Sequence, residues 1–181
     1  MNKSEILTKL VLIILPTLLS CCSTTKKNDD DRLRSQWREK HDLIQVKADS
    51  THYIYHLHSD TLYIGKKYPP DKSRMNPYES LATRNAYRED YETNERIRAC
   101  VRPEDFDLFV DNHVGLLIYL YMDSTGTVKE VEIMMNKTFV NLFGEEYIHC
   151  ICEGLKGLKK TIPPAFKNYP YYKLGHGFFF R

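Results

Sequence analysis

The chain has 181 residues, room for one core with a satellite and not for several large domains. Hydrophobic residues at 42% and charged residues at 28% exclude global disorder. The formal charge is only +2 and no basic stripe is present, so a nucleic-acid partner is not expected.

In chain order, residues 1–9 are short and carry Lys3 and Lys9, and Leu10 to Leu19 is apolar apart from Pro16 and Thr17. A charged start, a short apolar middle and a small Ser20 at its end predict a signal peptide over residues 1–20. The run falls short of the about 20 apolar residues that a spanning helix needs. Leu18-Leu19-Ser20-Cys21 resembles the bacterial lipobox. The resemblance implies cleavage before Cys21, a lipid on its sulfur and acylation of the new amine; Cys22 is the alternative modified residue. Several acyl chains would hold the protein firmly at a membrane. Residues 21–31 follow as a polar tether ending in Asp29-Asp30-Asp31. This acidic part resembles the charged segments behind the lipidated Cys of Bacteroidetes surface lipoproteins. The expected location is therefore the bacterial envelope, most simply the outer membrane, with leaflet and face open.

Residues 32–47 mix Leu33, Trp37, Leu43, Ile44 and Val46 with charges and predict a short helix leading into a strand. Thr51 to His58 alternates, Ser59-Asp60 turns, and Thr61 to Ile64 returns, which predicts a hairpin. Its core face would hold Tyr53, Tyr55, Leu57, Leu62 and Ile64. Asn76 followed by Pro77, with Glu79 in the first turn, opens one or two thinly apolar helices over residues 77–100. Arg102 to Asp105 breaks the chain before a short turn holding Phe106 and Phe109. Gly115 to Met122 reads as an apolar strand, Asp123 to Gly126 as a turn, and Thr127 to Met135 as the return. The step of three from Val128 to Val131 predicts a β-bulge. Ile148, Ile151, Cys152, Leu155 and Leu158 share one face of a helix over residues 145–160. Tyr171 to Arg181 closes with a strand anchored by Phe178, Phe179 and Phe180. The expectation is an α+β protein: a small antiparallel sheet with one packed helix, in β-β-α-β order, behind a hairpin and a helical segment. The expected boundaries are 32–101 for the N-terminal region and 102–181 for the C-terminal module.

Ile118 to Met122, Gly126-Thr-Val-Lys-Glu-Val-Glu-Ile133, Leu155 with Leu158, Pro164-Ala165-Phe166 and Phe178 to Phe180 together resemble the C-terminal domain of the TonB energy-transducer family. The resemblance covers residues 114–181. It implies a sheet edge that binds an extended peptide from an envelope partner by strand addition. A lipid anchor stands in place of the family's membrane helix and Pro-rich spacer, so binding without energy transduction is expected. The whole chain also resembles the short lipoproteins of Bacteroides. The candidate partner edge lies near Leu116–Met122 or near Tyr171–Phe180, with Leu116, Ile118 and Leu120 on the first and Tyr171, Phe178 and Phe180 on the second.

Among chemical groups, His52, His56 and His58 share a strand face, and His56 with His58 could reach one metal ion. This makes a metal-dependent hydrolase the enzymatic alternative. His149-Cys150-x-Cys152 has ligand types too close on a helix to chelate. Three cysteines remain beyond the tether; Cys100 could bridge to Cys150 or to Cys152, leaving one thiol. Cys150 and Cys152 diverge by about 200° on a helix and should not bridge. Glu104, Asp105 and Asp107 read as a solvated turn. No hydrolase, phosphate-loop or dinucleotide motif occurs, so no cofactor and no catalytic residue are assigned. Thirteen tyrosines, with Tyr169, Tyr171 and Tyr172 bunched, make carbohydrate binding a further alternative. Asp49-Ser-Thr51, Asp60-Thr-Leu62 and Asp123-Ser-Thr125 resemble Bacteroidetes O-glycosylation acceptors, but the same residues are ordinary turn formers.

Overall fold

The computed structural model describes residues 29–66, 91–162 and 169–181. It divides at residues 41/42 into two units. In the first, residues 29–40 form helix α1, with Trp37 stacked on His41 at 4.2 Å. Cys21, Cys22 and the predicted signal peptide and tether up to residue 28 lie outside the described residues, as do most of the helices predicted over 77–100.

The second unit is built on a five-stranded antiparallel sheet in the order β1-β2-β4-β3-β5. The strands are β1 (Leu43–Lys47), β2 (His52–Leu57), β3 (Gly115–Asp123), β4 (Val128–Asn136) and β5 (Tyr171–Phe179). Among the described residues four helices accompany them: α2 (Tyr91–Ala99), α3 (Pro103–Asp111), α4 (Lys137–Phe143) and α5 (Glu145–Leu155). The α+β class therefore holds. Strands β1 and β2, from before residue 102, continue the sheet made by β3 to β5.

Alternation sets which face of each strand is buried. Tyr55, Leu57, Leu116, Ile118, Leu120, Val131, Ile133, Met135, Leu174 and Phe178 are all buried on the helix-covered face. Each large apolar side chain so buried contributes about 1.5–3 kcal/mol. Helix α5 lies across β4 and β2 through Ile148, Ile151, Cys152 and Leu155. The β3–β4 hairpin turns at Gly126, whose φ is 80° and whose missing side chain lets the Lys160 carbonyl approach. The predicted bulge is present: Tyr121 faces Glu130 and Met122 faces Val128, so Lys129 is the extra residue.

The N-terminal hairpin is real but differently placed. Strand β2 pairs with β1, not with a returning strand at Thr61 to Ile64. Asp49 makes the turn instead: its Oδ1 accepts from the amides of Thr51 and His52 at 2.6 and 2.7 Å. Leu62 is exposed and Ile64 half-buried, so neither joins Tyr55 and Leu57 in the core.

Two helices depart from the expected turn-and-strand reading. Pro103 at the first turn, with Glu104 and Asp105 behind it, opens α3 rather than a brief turn. Asn136 caps α4 by accepting from the Thr138 amide at 3.0 Å. Both helices are fixed by an aromatic cluster in which Phe109 meets Phe143, Tyr147 and Phe180 at 4.9, 5.7 and 5.2 Å. Among the described residues two helices thus stand between β4 and β5 where one was expected.

Candidate functional site

One group of polar and aromatic side chains lies on the sheet face away from the helices, beside the β5 edge. Strand β5 is an end strand of the sheet, bonded to β3 on one side. The Phe180 amide donates to the Val114 carbonyl at 3.3 Å. Bonded pairs alternate along an antiparallel ladder. Tyr172, Leu174, His176 and Phe178 therefore turn their amides towards β3, and the odd-numbered residues turn theirs away. On that outer side the backbone groups of Lys173, Gly175, Gly177 and Phe179 have no hydrogen-bond partner among the described residues. The pairing of β3 with β5 runs through all nine residues without a bulge. Phe179 is 65% exposed, and both glycines are exposed.

Side chains beside this edge are tied together. The Lys173 ammonium sits 3.9 Å above the Tyr119 ring and 3.3 Å from Glu132 Oε1. The Tyr121 hydroxyl donates to the same Glu132 oxygen at 3.4 Å. Burial, then the Glu132 charge, push the Tyr121 phenol well above its ordinary range. Tyr171 stacks on Tyr63 at 4.8 Å and donates to the Lys66 carbonyl at 3.3 Å.

The loop that carries Tyr63 is held by an acid far away in sequence. Glu130, only 2% exposed, accepts from the amides of Tyr63 and Ile64 at 2.8 Å each, and from that of Leu62. These bonds replace the strand that the alternation of Thr61 to Ile64 predicts. Next to it, Asp60 Oδ2 accepts from the Val131 amide at 3.4 Å, at the bulge, and Oδ1 pairs with Lys156 Nζ at 2.7 Å. Burial raises the Asp60 carboxyl despite that lysine. Neither acid stands out in the sequence, because nothing local marks a carboxylate that serves backbone 66–71 positions away.

The predicted site residues separate. Leu116, Ile118 and Leu120 are on β3, which lies between β4 and β5, so their strand offers no free edge. Tyr171 and Phe178 lie on the edge strand β5, with Phe180 just past its end, all three buried. Tyr171 and Tyr172 are both buried and point to opposite faces, so the bunched tyrosines do not form one stacking platform. His56 is on β2 with Nδ1 2.9 Å from the Leu57 carbonyl oxygen, while His58 is exposed past the strand end. Among the described residues no three His, Cys, Asp or Glu side chains gather as a metal site. Asp105 pairs with Arg102 Nη2 at 2.6 Å and accepts from Tyr147, which makes it a clasp for α3 and α5. Cys100 is bonded to Cys150, and Cys152 is a buried free thiol that burial pushes far up. Among the described residues no helix is long and apolar enough to cross a membrane.

No protein-family model matches the sequence, and no curated protein matches it. Among solved structures the chain is similar to a DUF5043 family protein from Bacteroides uniformis, at 12% identity and a TM-score of 0.44, over 76% of this chain and 78% of that one.

Proposed function

We propose that the chain is a lipid-anchored envelope protein with a non-catalytic binding and assembly role, and that it takes an extended strand along the β5 edge. The observation that carries the reading is the row of backbone groups at Lys173, Gly175, Gly177 and Phe179 that have no hydrogen-bond partner among the described residues, on a bulge-free strand of nine residues. Such an edge is a template for another strand, and proteins that do not use one usually blunt it with a bulge, a Pro or several charges. Here Lys173 is the one charge, and Glu132 and two tyrosine rings already hold it. The TonB-like residues over 114–181 support the same mode, and the Leu18 to Cys21 stretch supports the anchor. An incoming strand would gain affinity from main-chain bonds and selectivity from alternate side chains.

The test is capture of the tagged full chain from crosslinked cells, with crosslinks mapped by mass spectrometry. Crosslinks at Tyr171–Phe179 that vanish in a Gly175→Pro variant, with membrane attachment unchanged, are the expected result. Proline at that position removes an outward amide and leaves the β3 ladder whole. Capture that persists unchanged in the variant refutes the edge as the contact. In parallel, Cys21→Ser should release the protein from the membrane fraction, and continued attachment would refute the anchor.

A further inference from the structure

Resting on the strand-addition reading, we infer that Gly177 selects the strand: the β5 edge takes an extended segment of another protein that sets one uncharged aliphatic side chain over Gly177. The three glycines of β3 and β5 differ in what lies over them on the sheet face away from the helices. Gly115 carries the Phe179 ring; a Cβ there would meet its atoms at 2.7 and 2.9 Å. Gly175 lies against the Tyr119 ring, 3.5 Å from where its Cβ would be. Each ring faces its glycine in register, Phe179 opposite Gly115 and Tyr119 opposite Gly175, a pairing that offsets the missing side chain. Gly177 faces Leu117, but among the described residues no Leu117 atom comes within 4 Å of its Cβ position, which meets only the far edge of the Phe179 ring at 3.9 Å. Same-face neighbours along a strand are about 6.8 Å apart, so the gap is one side chain wide. A ring stands on either side, Leu117 backs it, and it opens at the free edge.

The register gives the chemistry of the side chain that fits. Val46, Ile54, Met134, Leu117 and Gly177 face one another in turn across all five strands. The first four form an uninterrupted apolar row, half-buried except for Val46, which is 46% exposed. Gly177 ends that row at the free edge. A residue paired with Gly177 puts its side chain on the same face, so an aliphatic group there extends the row by one strand and removes water from Leu117 and the two rings. Charge complementarity points the same way. Lys173 is the one Lys or Arg on β5, and Glu132 already matches it at 3.3 Å. A charged side chain over Gly177 would therefore lose water and find no counter-charge. The glycine itself has no backbone reason: its φ is not positive and no bulge sits there. Glycine weakens a strand and persists where another group approaches closely.

The experiment is fluorescence anisotropy on the full chain in lipid nanodiscs, with labelled nine-residue peptides that are Thr throughout except for a central Leu, Ala or Asp. Thr favours the extended state in all three. The Leu peptide should bind about tenfold tighter than the Ala peptide, roughly half of what full burial of the extra carbons would give in free energy, because the gap is open on one side. The Asp peptide should bind more weakly than the Ala peptide. Gly177→Val should erase the preference for Leu by filling the gap, without lowering the melting temperature, since a β-branched residue suits the strand. Leu117→Ala, on the neighbouring strand, should narrow the preference by removing the back of the gap. Equal binding of the three peptides overturns the inference, as does a preference for Leu that survives in Gly177→Val, or no binding by any peptide at millimolar concentration. Equal binding that disappears in Gly175→Pro leaves the strand-addition reading standing without the selection. Absent peptide binding together with capture from cells that ignores Gly175→Pro removes both.

Discussion

Replacing Cys100 and Cys150 together by Ala should cost this fold about 4 kcal/mol and loosen one helix before the rest. The bridge closes a loop of 50 residues, and the chain-entropy relation for that length gives about 4 kcal/mol at room temperature. The structure shows where the loss should appear first. Helix α2 buries only Thr93 and Ile97, and it leans on α5 through Arg96, whose Nη1 donates to the Gly154 carbonyl at 2.9 Å. Cys100 follows α2 directly and Cys150 sits within α5, so the bridge holds a helix with little apolar surface of its own. With a urea slope of about 2 kcal/mol per molar, the unfolding midpoint should fall by about 2 M. Circular dichroism in urea, on the double variant and the parent without reductant, reads the midpoint. Amide exchange reads the place: residues 91–99 should lose protection before β3 and β4. A midpoint shift below about 0.5 M, or exchange that rises evenly over the sheet, would refute this account of α2.

Glu130→Ala should free the amides of residues 62–64 and destabilise by about 2–4 kcal/mol, since charged acceptors are worth more than neutral ones; proteolysis should then cut near Tyr63, and an unchanged cleavage pattern would count against it. Asp123 gives a pH dependence. Burial opposes its charge, but donors from Thr125, Thr127 and Lys129 outweigh that and hold the carboxyl at about 2, below its ordinary value. Its folded pKa is depressed, so its contribution is full above about pH 4 and fades as pH falls towards 2. Melting temperatures of the parent and Asp123→Asn should therefore differ most near pH 6 and converge near pH 2. Cys152 should resist a thiol reagent at pH 8 until urea is added, because burial raises its pKa and shields the sulfur.

Much of the sheet was legible because its strands obey a period of two and its turns use the residues that turns need. Val128, Val131 and Ile133 announced the bulge, and Asp123 to Gly126 announced the tight hairpin. Thr61 to Ile64 misled for the same reason that the others succeeded: the alternation is genuine, but Glu130 takes its amides and Asp60 takes the amide of Val131, so the segment rides along β4 as a loop. Helix α3 was hidden because Phe109 has meaning only beside Phe143, Tyr147 and Phe180, which arrive from other elements.

The expected edge named two strands, and why β3 lies inside the sheet while β5 ends it follows from a different cause. A strand can be read from local alternation, whereas its place in the sheet depends on who pairs with it. Yet the two strands do differ in sequence. On the face away from the helices β3 presents Leu117, Tyr119 and Tyr121, while β5 presents Lys173, Gly175 and Gly177 in the matching register. A strand that is apolar on both faces suits the middle of a sheet, where neighbours on each side cover its flanks. A strand whose second face is bare or charged packs poorly there and suits an edge. Leu116, Ile118 and Leu120 therefore belong to the strand with the stronger claim to the centre, and the free backbone belongs to the strand with the glycines.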